Sequence, residues 1–171
     1  MENEHSLPDN LLGISRDAYG EEYANHVVEI YKLYVEMADR ISSRRQSASS
    51  FFLTINSSIV ALVGYVNLTD EQSTPSLFFY VPVAVAGMAL SYLWYRLIVS
   101  YKQLNSGKFT VIHAIESMLP LRPYDAEWSA LGKGKNPRTY TPFTHIEVFV
   151  PWVFFTIHVL VFLASLYFTL R

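Results

Sequence analysis

Few residues in this chain are of types and spacings that do chemistry. Arg138 and His145 are separated by six residues. An arginine can hold a phosphate through its planar fork and a histidine can exchange a proton near neutrality, so this pair could cleave a phosphodiester. Pro142 lies inside the interval and Pro137 just before it, which argues against the helix that would present both side chains to one centre. His113 and Glu116 stand at i,i+3, and His145 and Glu147 lie close to an apolar run. Their spacing matches no zinc signature, so we expect no metal site. Asn56 and His158 are polar residues inside long apolar runs. Groups at such depth are costly and either serve function or hydrogen-bond to a neighbouring helix. No Gly-x-Gly-x-x-Gly, Walker loop, Gly-x-Ser-x-Gly or His-Glu-x-x-His occurs, and there is no cysteine. The expectation is a protein that is not an enzyme and holds no cofactor. Nucleic acid stays open as a partner only through Arg138 and His145.

The elements that carry these residues follow from hydropathy. The 171 residues suffice for one domain, and half of them are apolar. The apolar residues are concentrated in Phe51–Leu68, Leu77–Val99 and Val148–Leu170. A bilayer core needs about 20 apolar residues as helix. Three nearly uncharged runs would be hard to bury in so small a soluble core. The reading is therefore all-α: a three-span helical membrane protein with a long N-terminal cytoplasmic helix and a helical cytoplasmic middle region. The segments are 1–50 (cytoplasmic amphipathic helix), 51–68 (first span), 69–76 (external loop), 77–99 (second span), 100–147 (cytoplasmic helices and loop) and 148–170 (third span). The first fifty residues do not read as a secretory signal peptide.

Orientation follows from the basic residues. Met1–Ser50 holds five and Arg96–Glu147 holds seven, so twelve of the thirteen fall on one side. Thr69–Ser76 holds none, and the remaining one is Arg171. The side rich in arginine and lysine should be cytoplasmic, with the N-terminus inside and the C-terminus outside. Tyr80, Trp94, Tyr95, Trp152 and Tyr167 lie near span ends, where amphipathic rings either anchor at the interface or simply pack. Net charge is close to zero, so composition alone gives no bulk affinity for nucleic acid.

Outside the spans, Glu21–Val63 contains neither glycine nor proline. Ala24, Val27, Tyr31, Tyr34, Ala38 and Ile41 form one apolar stripe, widened by Ile30, Leu33 and Met37, while Glu36 and Arg40 can pair on the polar face. Such a helix could continue directly into the first span, and its apolar face needs a partner: the middle region, another subunit, or both. Leu97, Tyr101 and Leu104 extend the second helix inward as far as Asn105-Ser106-Gly107, read as a turn or kink. Ile112, Ile115 and Leu119 form a further short stripe ended by Pro120 and Pro123, and Asp125–Trp128 reads as one more turn. Leu131–Pro142 reads as a surface loop. In the first span Thr54, Ser57, Ser58, Ala61 and Gly64 line one side, and in the second Ala84, Gly87 and Ser91 do the same. Small residues let helices approach closely in lipid, within one subunit, at a subunit seam or around a pore. Three spans cannot enclose a wide aqueous path, so conduction would require an oligomer. Thr54, Asn56, Ser57, Ser58, Ala61 and Gly64 are the seam or pore candidates, and His158 is the intramembrane polar group of the third span.

Several stretches carry a family resemblance: Tyr34–Arg40, Arg44-Arg45-Gln46 leading into Phe51–Asn56, Leu104–Phe109, Pro123–Trp128, and Pro142–Glu147 followed by Pro151-Trp152. Their order and spacing resemble the RipA family of octameric bacterial inner-membrane proteins. The chain resembles more loosely the membrane accessory proteins of type VI-B CRISPR systems, which form octameric pores. The resemblance implies a homo-octamer in the inner membrane around a central opening, acting in defence or in adaptation to a host. Arg138 and His145 also resemble the Arg-x(4–6)-His pattern of HEPN ribonucleases, which implies the alternative of a membrane-tethered nuclease. A third alternative is a non-conducting scaffold that recruits a cytoplasmic partner.

The charge asymmetry generates a topological prediction. Alkaline phosphatase fused after Arg171 should be active and a fluorescent protein fused there should be dark. The opposite pair of results overturns the orientation.

Overall fold

A computed structural model of the chain describes residues 11–69, 77–135, 139–140 and 146–170. All regular elements among them are helical. They are α1 (Arg16–Tyr19), α2 (Tyr23–Thr69), α3 (Leu77–Glu116), α4 (Pro123–Ala130), a 3-10 turn at Gly132–Gly134 and α5 (Phe149–Leu170). Helices α2, α3 and α5 are each long and apolar enough to cross a membrane.

The absence of glycine and proline over most of α2 leaves nothing to interrupt its ladder, and it runs unbroken for 47 residues. Helix α3 is likewise one element of 40 residues. The turn expected at Asn105-Ser106-Gly107 does not occur, because the helix passes straight through it. A helical glycine costs only about 1 kcal/mol, less than the packing of the apolar residues that follow it. The main-chain carbonyl of Ser106 also accepts a hydrogen bond from Thr110 Oγ1 at 3.1 Å. The helix ends at Glu116, earlier than Pro120, in a tight turn closed by Met118 N–H on the Ile115 carbonyl at 2.9 Å. Pro123 opens α4 at its first position, where a missing N–H is tolerated, and α4 extends over eight residues, beyond the single turn expected at Asp125–Trp128. In the following loop Gly132, Lys133 and Gly134 all have positive φ, a left-handed turn that glycine makes cheap on both sides of the lysine.

The chain divides into two compact units: the described residues of Met1–Ser43 with Tyr101–Pro142, and those of Arg44–Ser100 with Phe143–Arg171. In the first unit Ala38 and Ile41 of α2 and Ile112, Ala114 and Ile115 of α3 are buried. Val27, Tyr31 and Tyr34 of the expected stripe are partly covered, but Ala24, Ile30, Leu33 and Met37 stay exposed. Glu36 and Arg40 pair at 2.7 Å on the surface, worth a few tenths of a kcal/mol.

The centre of this unit is a charged group. Glu116, at the end of α3, is fully buried. Its Oε1 accepts from Tyr31 Oη on α2 at 2.9 Å and from the Tyr124 N–H at 3.0 Å. Its Oε2 accepts from the Asp125 N–H at 3.2 Å. The carboxylate thus satisfies amides of the first turn of α4, where helix ends favour negative charge. His113 Nδ1 lies 3.5 Å from Oε2 without forming a hydrogen bond. The carboxylate is therefore occupied in tying α2, α3 and α4 together. Burial and the bond to Glu116 push the Tyr31 phenol above the usual tyrosine range.

Tyr31→Phe removes one donor from a buried carboxylate and should destabilise the first unit by about 1.5–3 kcal/mol, the usual worth of a bond to a charged group. A folded-state pKa raised above the unfolded one contributes stability that is present below the unfolded value and lost as pH climbs through the folded one. Thermal unfolding of the two proteins should differ at pH 7 and converge at strongly alkaline pH.

Candidate functional site

The second unit brings together one polar side chain from each of its three long helices. Asn56 of α2, Ser91 of α3 and His158 of α5 are 0%, 1% and 1% exposed. Asn56 Nδ2 donates to the Phe52 carbonyl one turn earlier at 2.9 Å, which directs Oδ1 towards the other two helices. Oδ1 accepts from Ser91 Oγ at 3.0 Å and from His158 Nε2 at 3.1 Å, so Nε2 carries the proton in that bond. The Ser91 hydroxyl shares its proton with the Gly87 carbonyl at 2.9 Å. One amide oxygen therefore joins all three membrane-crossing helices.

Room for the imidazole comes from Gly87. A Cβ at that position would fall on the His158 ring. The small residues of the second span, Ala84, Gly87 and Ser91, thus serve packing within one chain: Ala84 is fully buried and Ser91 nearly so. Asn67 and Tyr80 make a similar tie between α2 and α3, with Tyr80 Oη donating to Asn67 Oδ1 at 3.0 Å. Tyr80 and Trp94 are buried, so they pack between helices, whereas Trp152 and Tyr167 are exposed.

A third cluster in this unit involves Arg45, Ser49, Trp94 and Glu147. Arg45 Nη1 lies 3.2 Å from Glu147 Oε2, both side chains being largely covered. Ser49 Oγ donates to Glu147 Oε1 at 2.9 Å and accepts from Trp94 Nε1 at 3.3 Å. The Trp94 ring stacks on Phe52 at 6.1 Å between centroids. The pairing of Arg45 with Glu147 was not visible in the sequence, although opposite charges flanking two apolar runs were a signal that could have suggested it.

The remaining seam candidates lie elsewhere on α2. Thr54, Ser57, Ser58, Ala61 and Gly64 are all exposed, while Asn56 faces inward. Thr54 Oγ1 donates to the Ser50 carbonyl at 2.9 Å and Ser58 Oγ to the Thr54 carbonyl at 2.8 Å. These hydroxyls are satisfied within their own helix and leave a shallow face. A Cβ at Gly64 would meet nothing within 4 Å. Arg138 and His145 lie outside the described residues. Among the described residues no three potential metal ligands come together.

A family model described as "Octameric membrane protein family (8xMP)" matches residues 28–167 of the chain. No curated protein and no solved structure matches significantly.

Gly87→Ala forces a methyl group against the imidazole and should destabilise the folded spans by about 1–3 kcal/mol, the usual cost of overpacking. Asn56→Ala should cost about 1–2 kcal/mol, the range of interhelical hydrogen bonds in membranes. Unfolding in mixed micelles measures both. If the Asn56–His158 bond couples the helices, Asn56→Ala combined with His158→Ala should cost less than the two single changes added together.

Proposed function

This chain belongs to the octameric membrane protein family, and on that footing we propose that eight copies assemble in a bacterial inner membrane around a central opening that passes ions. The N-terminus and the residues between the second and third spans lie in the cytoplasm in this reading, in line with the basic-residue bias. The assembly acts without catalysing a reaction. Its effect is to permeabilise or depolarise the membrane, in defence or in adaptation to stress.

The observation that carries the reading is the exposed small-residue face of α2. Asn56, Ser91 and His158 satisfy one another across the three helices within one chain. Thr54, Ser57, Ser58, Ala61 and Gly64 are left over on the outside of that bundle. In lipid, such a face permits close approach of another helix, and its hydroxyl oxygens can also border water. A single chain of three spans has no room for an aqueous path, so the face acquires a role only between copies.

Ion flux in proteoliposomes tests this. Wild-type protein should carry current, and Thr54→Leu, Ser57→Leu or Ser58→Leu should change it severalfold while particle mass stays that of the ring. An intact octamer that passes no ions under any gating condition would refute conduction, and unaltered flux in all three variants would remove this face from the opening.

A further inference from the structure

A ring closed by rotation needs two different surfaces on every subunit, each complementary to the other. The first unit carries such a pair on the two flanks of α2. On one flank Ile30, Leu33 and Met37 are 48%, 52% and 38% exposed. At about 100° per residue they fall within roughly 60° of one another around the helix. On the other flank lies an open groove of about 600 Å³. Tyr31, Val35 and Ala38 of α2 with Phe109 and Tyr124 supply its apolar wall, and Asp39 stands at its edge. The α2 residues of the groove are centred about 150° from the apolar ridge on the same helical count. Ridge and groove therefore face away from each other and cannot fill one another within a single chain.

Charge distinguishes the two flanks in the same sense. Lys108 Nζ lies 3.9 Å from Met37 Sδ beside the ridge and 5.0 Å from the Tyr34 ring centroid. Among the described residues no carboxylate pairs with it. Asp39 at the groove has no ion pair among the described residues either, whereas its neighbours Lys32 and Glu36 are paired with Glu29 and Arg40. Among the described residues, one flank thus offers aliphatic side chains with a cation that has no carboxylate partner, the other an apolar trough with an anion that has no ion pair.

We infer that in the ring the Ile30–Leu33–Met37 ridge of one copy seats in the Tyr31–Val35–Phe109–Tyr124 groove of the next, with Lys108 of the first opposite Asp39 of the second. The occupant is a second copy because the complementary surface belongs to this same chain, and because the family is described as octameric. The inference rests on the octameric reading and adds to it a head-to-tail seam outside the spans.

Because the chain has no cysteine, introduced thiols report this contact alone. Rings co-assembled from Leu33→Cys copies and Val35→Cys copies, treated with a short bismaleimide, should yield covalent dimers. Rings of either variant alone should yield none. Dimers from Leu33→Cys alone would mean ridge against ridge and overturn the inference. So would an absence of dimers in mixed rings of intact mass. In a second arm, Asp39→Lys and Lys108→Asp should each lower the octamer fraction seen by native mass spectrometry, and the two together should restore it. A double variant no better than the singles refutes the pairing of these charges. A wild-type protein that runs as a monomer would instead remove the octameric reading, and this seam with it.

Discussion

Hydrocarbon offers a polar side chain no water to return to, so a carboxamide placed in a membrane-crossing helix must find its partners among neighbouring helices. Asn56 is the side chain on which this constraint falls hardest. Its amide group donates along its own helix and its carbonyl oxygen accepts from both other spans. Without directional bonds, three apolar helices in lipid could rotate or slide with little penalty, since lipid tails are as apolar as leucine. The shared oxygen fixes their rotation and their depth together. Gly87 follows from the same constraint, because the imidazole reaches Asn56 only where α3 lacks a side chain.

The same rule, applied to a charge, organises the other unit. Glu116 is fully buried without a lysine or arginine partner among the described residues, and its stability depends on receiving hydrogen bonds from several directions. Two come from the open amides at the start of α4 and one from the Tyr31 hydroxyl. A short helix of eight residues that buries none of its own side chains is marginal alone. The carboxylate supplies what its sequence lacks, since Arg122 gives no side-chain cap. In this unit a buried anion sets where α4 begins, much as the amide in the other unit sets how the spans meet.

Both units leave faces uncovered: the small-residue side of α2 in one, and an apolar ridge with a separate groove in the other. A subunit of a ring must leave its complementary faces open, and the family is described as octameric. The exposed aliphatic residues Ile30 and Leu33 are informative for this reason. They lie at helical spacing beside a buried stripe and were expected to widen it.

The three spans, the amphipathic α2 and the one-sided distribution of basic residues were legible in the sequence, because hydropathy, helical period and charge are properties of short windows. The intramembrane residues Asn56 and His158 were legible as costly groups, and Gly87 and Ser91 as small ones. That all four form one cluster was not, because the meeting of Asn56 with His158 joins positions 102 residues apart and depends on the depth and rotation of separate helices. The same holds for Arg45 with Glu147 and for Glu116 with Tyr31. At Asn105-Ser106-Gly107 local propensity pointed to a turn, and the cooperative ladder of a 40-residue helix overrode it. Sequence alone determined which segments must leave water and which residues would be expensive there. Only the tertiary structure decided which of those residues satisfy one another, because hydrogen bonds require positions and angles that no linear pattern encodes.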